Sequence, residues 1–74
     1  MQLTQSQEDY LETIYVLKSQ QENVRAIDVA AALGFSKPSV SHALKDLKEK
    51  DLIYTDKTGY IFFTEQGKVQ ASQV

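Results

Sequence analysis

The sequence predicts a mostly α-helical domain with a small β-hairpin. Three observations lead there. Apolar residues recur at helical spacing through residues 5–19 and 37–50. Gly34 stands between two helical stretches, where a sharp corner needs a residue that tolerates a left-handed backbone. Two β-rich runs, residues 51–55 and 60–63, flank the turn sequence Asp56-Lys57-Thr58-Gly59. In chain order these make three helices, a hairpin and the start of a fourth helix, which is a winged helix-turn-helix.

Composition bounds the reading. Seventy-four residues, 42% hydrophobic and 24% charged, make one globular domain with a thin core. No run of about eighteen apolar residues offers a membrane span, and no basic segment followed by an apolar one marks a secretory signal. Cysteine is absent, which excludes disulfides and thiolate metal sites and fits a reducing cytoplasm. The net charge of −2 opposes nucleic-acid binding, but its distribution does not. Residues 36–50 carry Lys37, Lys45, Lys48 and Lys50 against Asp46 and Glu49, a local +2. The segments on either side are negative.

The first helix is expected over residues 5–19, capped by Thr4 or Ser6 with Gln7 or Asp9 three residues on. Tyr10, Leu11, Ile14 and Leu17 form its core stripe. Its other face carries Asp9, Glu12 and Val16. Two carboxylates at i and i+3 are neighbours that could share a cation, although a solvated acidic face is the commoner meaning of such a pair. Val16 is apolar on that face and invites a cover. Residues 20–23 read as a loop and 24–27 as a short extended segment.

The helical corner follows. A short helix over residues 28–33 starts near Asp28, whose carboxylate suits a helix start. Ala30 is small where two helices cross, Gly34 ends the helix, and Val40 is the apolar knob of the next one. That longer helix, residues 37–50, has Ser36 as N-cap and Pro38 in its first turn, where a missing N–H breaks no bond. Val40, Ala43, Leu44 and Leu47 face inward, and Pro38, His42, Lys45 and Glu49 face outward, flanked by Ser39, Ser41 and Asp46. A helix about 20 Å long with short hydrogen-bonding residues on its exposed N-terminal half can enter a major groove about 12 Å wide. On this reading Ser39 and Ser41 meet base edges, His42 meets a guanine or a phosphate, and Lys37 and Lys45 meet phosphates. The hairpin would be the wing, with Lys57 and Thr58 at its tip within reach of a phosphate. Thr64 then caps a last helix from Glu65, with Gly67 and Lys68 in its first turn. No stop signal precedes Val74, so the chain is expected to be a fragment.

Several stretches go further: EDYLETIY at 8–15, DVAAAL at 28–33, SKPSVS at 36–41, LIY at 52–54 and TEQGK at 64–68. Together they resemble the N-terminal domain of the diphtheria-toxin-repressor family of iron- and manganese-dependent transcriptional repressors, over nearly the whole chain. The resemblance implies a sequence-specific repressor that binds double-stranded DNA as a homodimer once charged with Mn2+ or Fe2+. It places Ser36, Pro38, Ser39 and His42 at the DNA face. It matches Asp9 and Glu12 to the first-helix ligands of the manganese-type branch, a hard carboxylate standing where iron-type members have Met. The remaining ligands and the dimerisation helices would lie beyond Val74, so this chain is expected to hold no metal itself. His42 lies on the DNA face and cannot complete the site. The family's Ser or Thr cap of the second helix is replaced by Ile27.

Two alternatives stay open: a metal-independent winged-helix regulator resembling the multiple-antibiotic-resistance repressors, and a winged-helix module that binds a partner protein. No nucleophile–base pair, phosphate loop or complete metal set supports an enzyme.

Overall fold

The computed structural model describes residues 3–73, so the chain end at Val74 lies outside the described residues. The order is α1 (Gln5–Gln20), α2 (Ala26–Leu33), α3 (Lys37–Glu49), β1 (Ile53–Thr55), β2 (Ile61–Phe63) and α4 (Glu65–Gln73). This is the winged helix-turn-helix that the pattern predicts.

Local chemistry sets most of the boundaries. Thr4 caps α1 reciprocally with Gln7: the Gln7 N–H donates to Thr4 Oγ1 at 3.1 Å, and the Thr4 N–H donates to Gln7 Oε1 at 3.0 Å. Gly34 closes α2 in the left-handed region at φ 71°. α3 ends in a Schellman motif. The Leu52 N–H reaches the Leu47 carbonyl at 3.1 Å, and the Asp51 N–H reaches the Lys48 carbonyl at 3.0 Å. Asp51 takes the left-handed position at φ 61°, where glycine is usual, and the motif's apolar pair, Leu47 and Leu52, is fully buried. Strand β1 therefore begins at Ile53 rather than at Asp51.

α2 departs most from expectation. It starts at Ala26, two residues before Asp28, with Arg25 as N-cap. Asp28 occupies the third helical position and its Oδ2 accepts the Arg25 N–H at 2.8 Å. Its carboxylate serves the helix start from inside the first turn, so Ile27 is a helical residue and not a failed cap. Ahead of it, Val24 is fully buried, and its carbonyl accepts the Ile61 N–H at 2.7 Å.

β1 and β2 pair antiparallel, Ile53 with Phe63, Tyr54 with Phe62 and Thr55 with Ile61. The core gathers one stripe from each element: Leu11 and Ile14, Val29, Val40 and Leu47, Ile53, Ile61 and Ala71. Each fully buried Leu or Ile contributes roughly 1.5–3 kcal/mol of transfer free energy. Thr64 joins the last helix to the rest. Its Oγ1 accepts the Gly67 N–H at 3.0 Å as the α4 cap and donates to the Asp51 carbonyl at 2.7 Å. Gly67 packs directly on the Leu52 backbone, where a Cβ would overlap the Leu52 carbonyl. No helix among the described residues is long and apolar enough to cross a membrane.

Candidate nucleic-acid interface

α3 turns Val40, Leu44 and Leu47 into the core, which forces the other side of the helix outward. Ser36, Lys37, Pro38, Ser39, Ser41, His42 and Lys45 are all exposed. The start of the helix is held by two hydroxyls. Ser36 Oγ accepts the Ser39 N–H at 3.4 Å and donates to Ser39 Oγ at 3.0 Å. Ser39 thus keeps its own hydroxyl proton for an outside partner. His42, 80% exposed, holds Nε2 3.8 Å from Asp46 Oδ2, an ion pair only when the imidazole is protonated. A cleft between the N-terminal ends of α1 and α3 is lined by Gln7, Tyr10, Ser39, His42 and Asp46. Burial pushes the Tyr10 phenol above its usual range, so Tyr10 stays neutral there.

The hairpin tip carries Lys57 and Thr58, both exposed. Asp56 organises it. Its Oδ1 accepts from the Thr58 hydroxyl at 2.7 Å, the Thr58 N–H at 3.0 Å and the Tyr60 N–H at 3.0 Å. The Thr58 hydroxyl, then the backbone N–H groups, hold the Asp56 carboxyl below its usual range. Thr58 therefore has its hydroxyl proton directed at Asp56, and Lys57 is the tip's outward cation. Gly59, at φ 88°, makes the turn back.

One residue escaped the sequence reading. Arg25 stands beside Lys37 and Gly59 in a cleft of about 360 Å³ that joins the starts of α2 and α3 to the wing. Its guanidinium lies 4.7 Å from the Tyr60 ring centroid. A second cation thus adjoins the start of α3. The available signal was its position, a basic residue just ahead of the first helix of the corner.

Asp9 and Glu12 are exposed on α1 and line neither of these clefts, and the Gln5 amide donates to Asp9 Oδ1 at 3.0 Å. Their hard oxygens suit a divalent cation. Their number does not suffice: among the described residues no group of three or more His, Cys, Asp or Glu could hold a metal. Val16 beside them is 44% exposed.

Residues 2–61 match the family model described as iron-dependent repressor, N-terminal DNA-binding domain. Among solved structures, the chain is similar to MepR of Staphylococcus aureus, a transcription regulator of the multidrug efflux pump MepA. The TM-score is 0.83 at 31% identity, covering 96% of this chain and 53% of that one. The S. aureus MepR–DNA complex gives a TM-score of 0.78 at 30% identity, covering 96% and 53%. ScaR with bound Zn2+ gives 0.78 at 28% identity, covering 90% and 31%. The chain thus spans about half the length of the MepR chains and less of ScaR. No curated protein sequence matches it. The family is one of repressors and MepR is a transcription regulator; neither is an enzyme.

Proposed function

This chain belongs to the iron-dependent repressor family as an N-terminal DNA-binding domain, and on that premise we propose that α3 is the element it places in the major groove of an operator. Ser39, Ser41 and His42 face base edges. Ser36, Lys37, Pro38 and Lys45 position the helix on the backbone, and the wing tip adds a flanking phosphate contact through Lys57, while Thr58 holds the turn through Asp56. Arg25 joins Lys37 on the phosphate side. The observation that carries this reading is the exposed polar face of α3, with short side chains at Ser36, Ser39 and Ser41 and cations at its start and at the wing.

We place metal dependence in the longer cytoplasmic protein, a homodimeric repressor. Asp9 and Glu12 would there supply two ligands to Mn2+ or Fe2+, with the rest coming from outside this chain. The bound cation would tie α1 to the segment that supplies those ligands. Among this chain's own residues, Gln5 steadies Asp9 by its 3.0 Å amide bond.

A second reading has support from the similarity to MepR, which matches this chain at higher identity and over more of its length than ScaR does. In it the regulator needs no metal. Asp9→Ala with Glu12→Ala in the full-length protein separates the two, since only the metalloregulator loses metal-dependent repression.

DNA binding itself is tested with this chain and duplex DNA by fluorescence anisotropy across a salt series. The expected result is weak binding with log affinity falling by about 0.9 per phosphate contact for each unit of log salt. No binding at low salt would overturn the reading.

A further inference from the structure

Resting on the DNA-binding reading above, we propose that Lys18 is a positioning residue for the wing: its ammonium latches β2 to α1 and so fixes how the hairpin tip meets a phosphate. Lys18 lies in the last turn of α1, where a lysine ordinarily stands in solvent and gains a little from the helix dipole. Here it is partly buried, and Nζ donates to the Ile61 carbonyl at 2.9 Å across 43 residues of chain. The same ammonium sits 4.7 Å from the centroid of Phe62. One cation therefore holds a backbone oxygen and a ring of adjacent β2 residues.

The register explains why this carbonyl needs a partner. Leu52 bonds to Thr64 and Asp56 to Tyr60 across the hairpin, so Ile61, between those positions, directs its peptide groups away from β1. Its N–H is taken by the Val24 carbonyl at 2.7 Å and its C=O by Lys18. A two-stranded hairpin is marginal without outside packing, so these two bonds are what close its outer edge. The charge of the donor strengthens the second of them.

Lys18 also anchors a stack. Phe62 lies against Tyr54 with centroids 5.4 Å apart at 24°. Just ahead of the strand, two residues before Phe62, Arg25 covers Tyr60. The outer face of the hairpin is thus gripped by cations from two different segments, α1 and the start of α2. Residues 56–58 extend beyond this grip with their side chains exposed. The angle of that extension decides where Lys57 stands relative to α3.

The test uses this chain and a random-sequence duplex of roughly 20 base pairs at low salt, because phosphate contacts need no particular sequence. Affinities are measured for the unaltered chain and for Lys18→Met, Lys18→Arg, Lys57→Ala and Lys18→Met/Lys57→Ala, at a temperature where each is folded by circular dichroism. Lys18→Met is expected to weaken binding about three- to ten-fold, and Lys18→Arg to restore it. The double variant should bind no more weakly than Lys57→Ala, since the latch acts through the tip. A Lys18→Met chain that binds as tightly as the original overturns the latch and leaves the DNA-binding reading standing. Additive losses overturn it too, because they mark Lys18 as an ordinary surface charge. If the unaltered chain binds no duplex, the DNA-binding reading fails and the latch's role fails with it. Should Lys18→Met not fold, Lys18→Gln replaces it in the same cycle, with the same outcomes deciding.

Discussion

α3 and the wing lie side by side on one surface but are held there by different means. α3 is specified by its own neighbours in sequence. Ser36 caps it, Pro38 fits its first turn, Gly34 sets the corner, and its buried stripe repeats at helical spacing. The wing is specified from a distance. Its strands are three residues each, and it is fixed by Val24, Lys18, the Thr64–Asp51 bond and the seat of Gly67 on Leu52. The lesson is that the element proposed to read bases is locally encoded, whereas the element proposed to touch the backbone takes its place from tertiary contacts.

Variants can break or sharpen that contrast. Gly67→Ala should do the most damage, since a Cβ there meets backbone and not a yielding side chain. The loss should be about 3 kcal/mol or more in chemical denaturation, much of the roughly 4–11 kcal/mol that a domain of this size possesses. A Gly67→Ala chain as stable as the original would show that the α4–Leu52 seat yields easily. Ser36→Ala tests the local side. Losing the cap should cost about 1 kcal/mol and fray the first turn of α3, seen as faster amide exchange at Ser39. If Lys57 exchanged faster as well, the two regions would not be independent. Asp51→Gly should act in the opposite direction. Glycine relieves the left-handed strain but adds freedom to the unfolded chain, for a net gain of about 0.5 kcal/mol in a denaturant midpoint.

The smallest effect concerns Asp56. Its carboxyl is held below the usual range in the folded chain, so its contribution is present above that range, at neutral pH. It is lost as pH falls through the lowered folded value. In an NMR titration the Thr58 and Tyr60 amide shifts should therefore move at a pH below about 4, the ordinary aspartate value. Midpoints at or above that value would show that Thr58 does not engage Asp56, and would return its hydroxyl to the candidate interface.

What the sequence revealed follows the same division. The helices, the Gly34 corner, the Ser36 cap and the hairpin turn were legible because each rests on residues a few positions apart. The start of α2 was misplaced because Asp28 serves from the third helical position, a geometry that its identity alone does not distinguish from an N-cap. The start of β1 was misplaced because Asp51, a residue without glycine's freedom, takes the left-handed cap. Lys18 and Gly67 carried no readable signal, and Arg25 carried only its position ahead of a helix. A lysine ending a helix, an arginine before one and a glycine in a first turn are all ordinary, and only the folded chain brings them to Ile61, Tyr60 and Leu52. On the candidate surface, the exposed side of α3 followed from its buried stripe, whereas the engagement of Thr58 by Asp56 needed the turn's geometry.

The most direct test is to map backbone amide shifts of this chain as duplex DNA is added. The account predicts that the largest changes fall on Ser36 through Lys45, on Lys57 and on Arg25. Changes centred instead on Val16 and α4, with α3 unmoved, would contradict it.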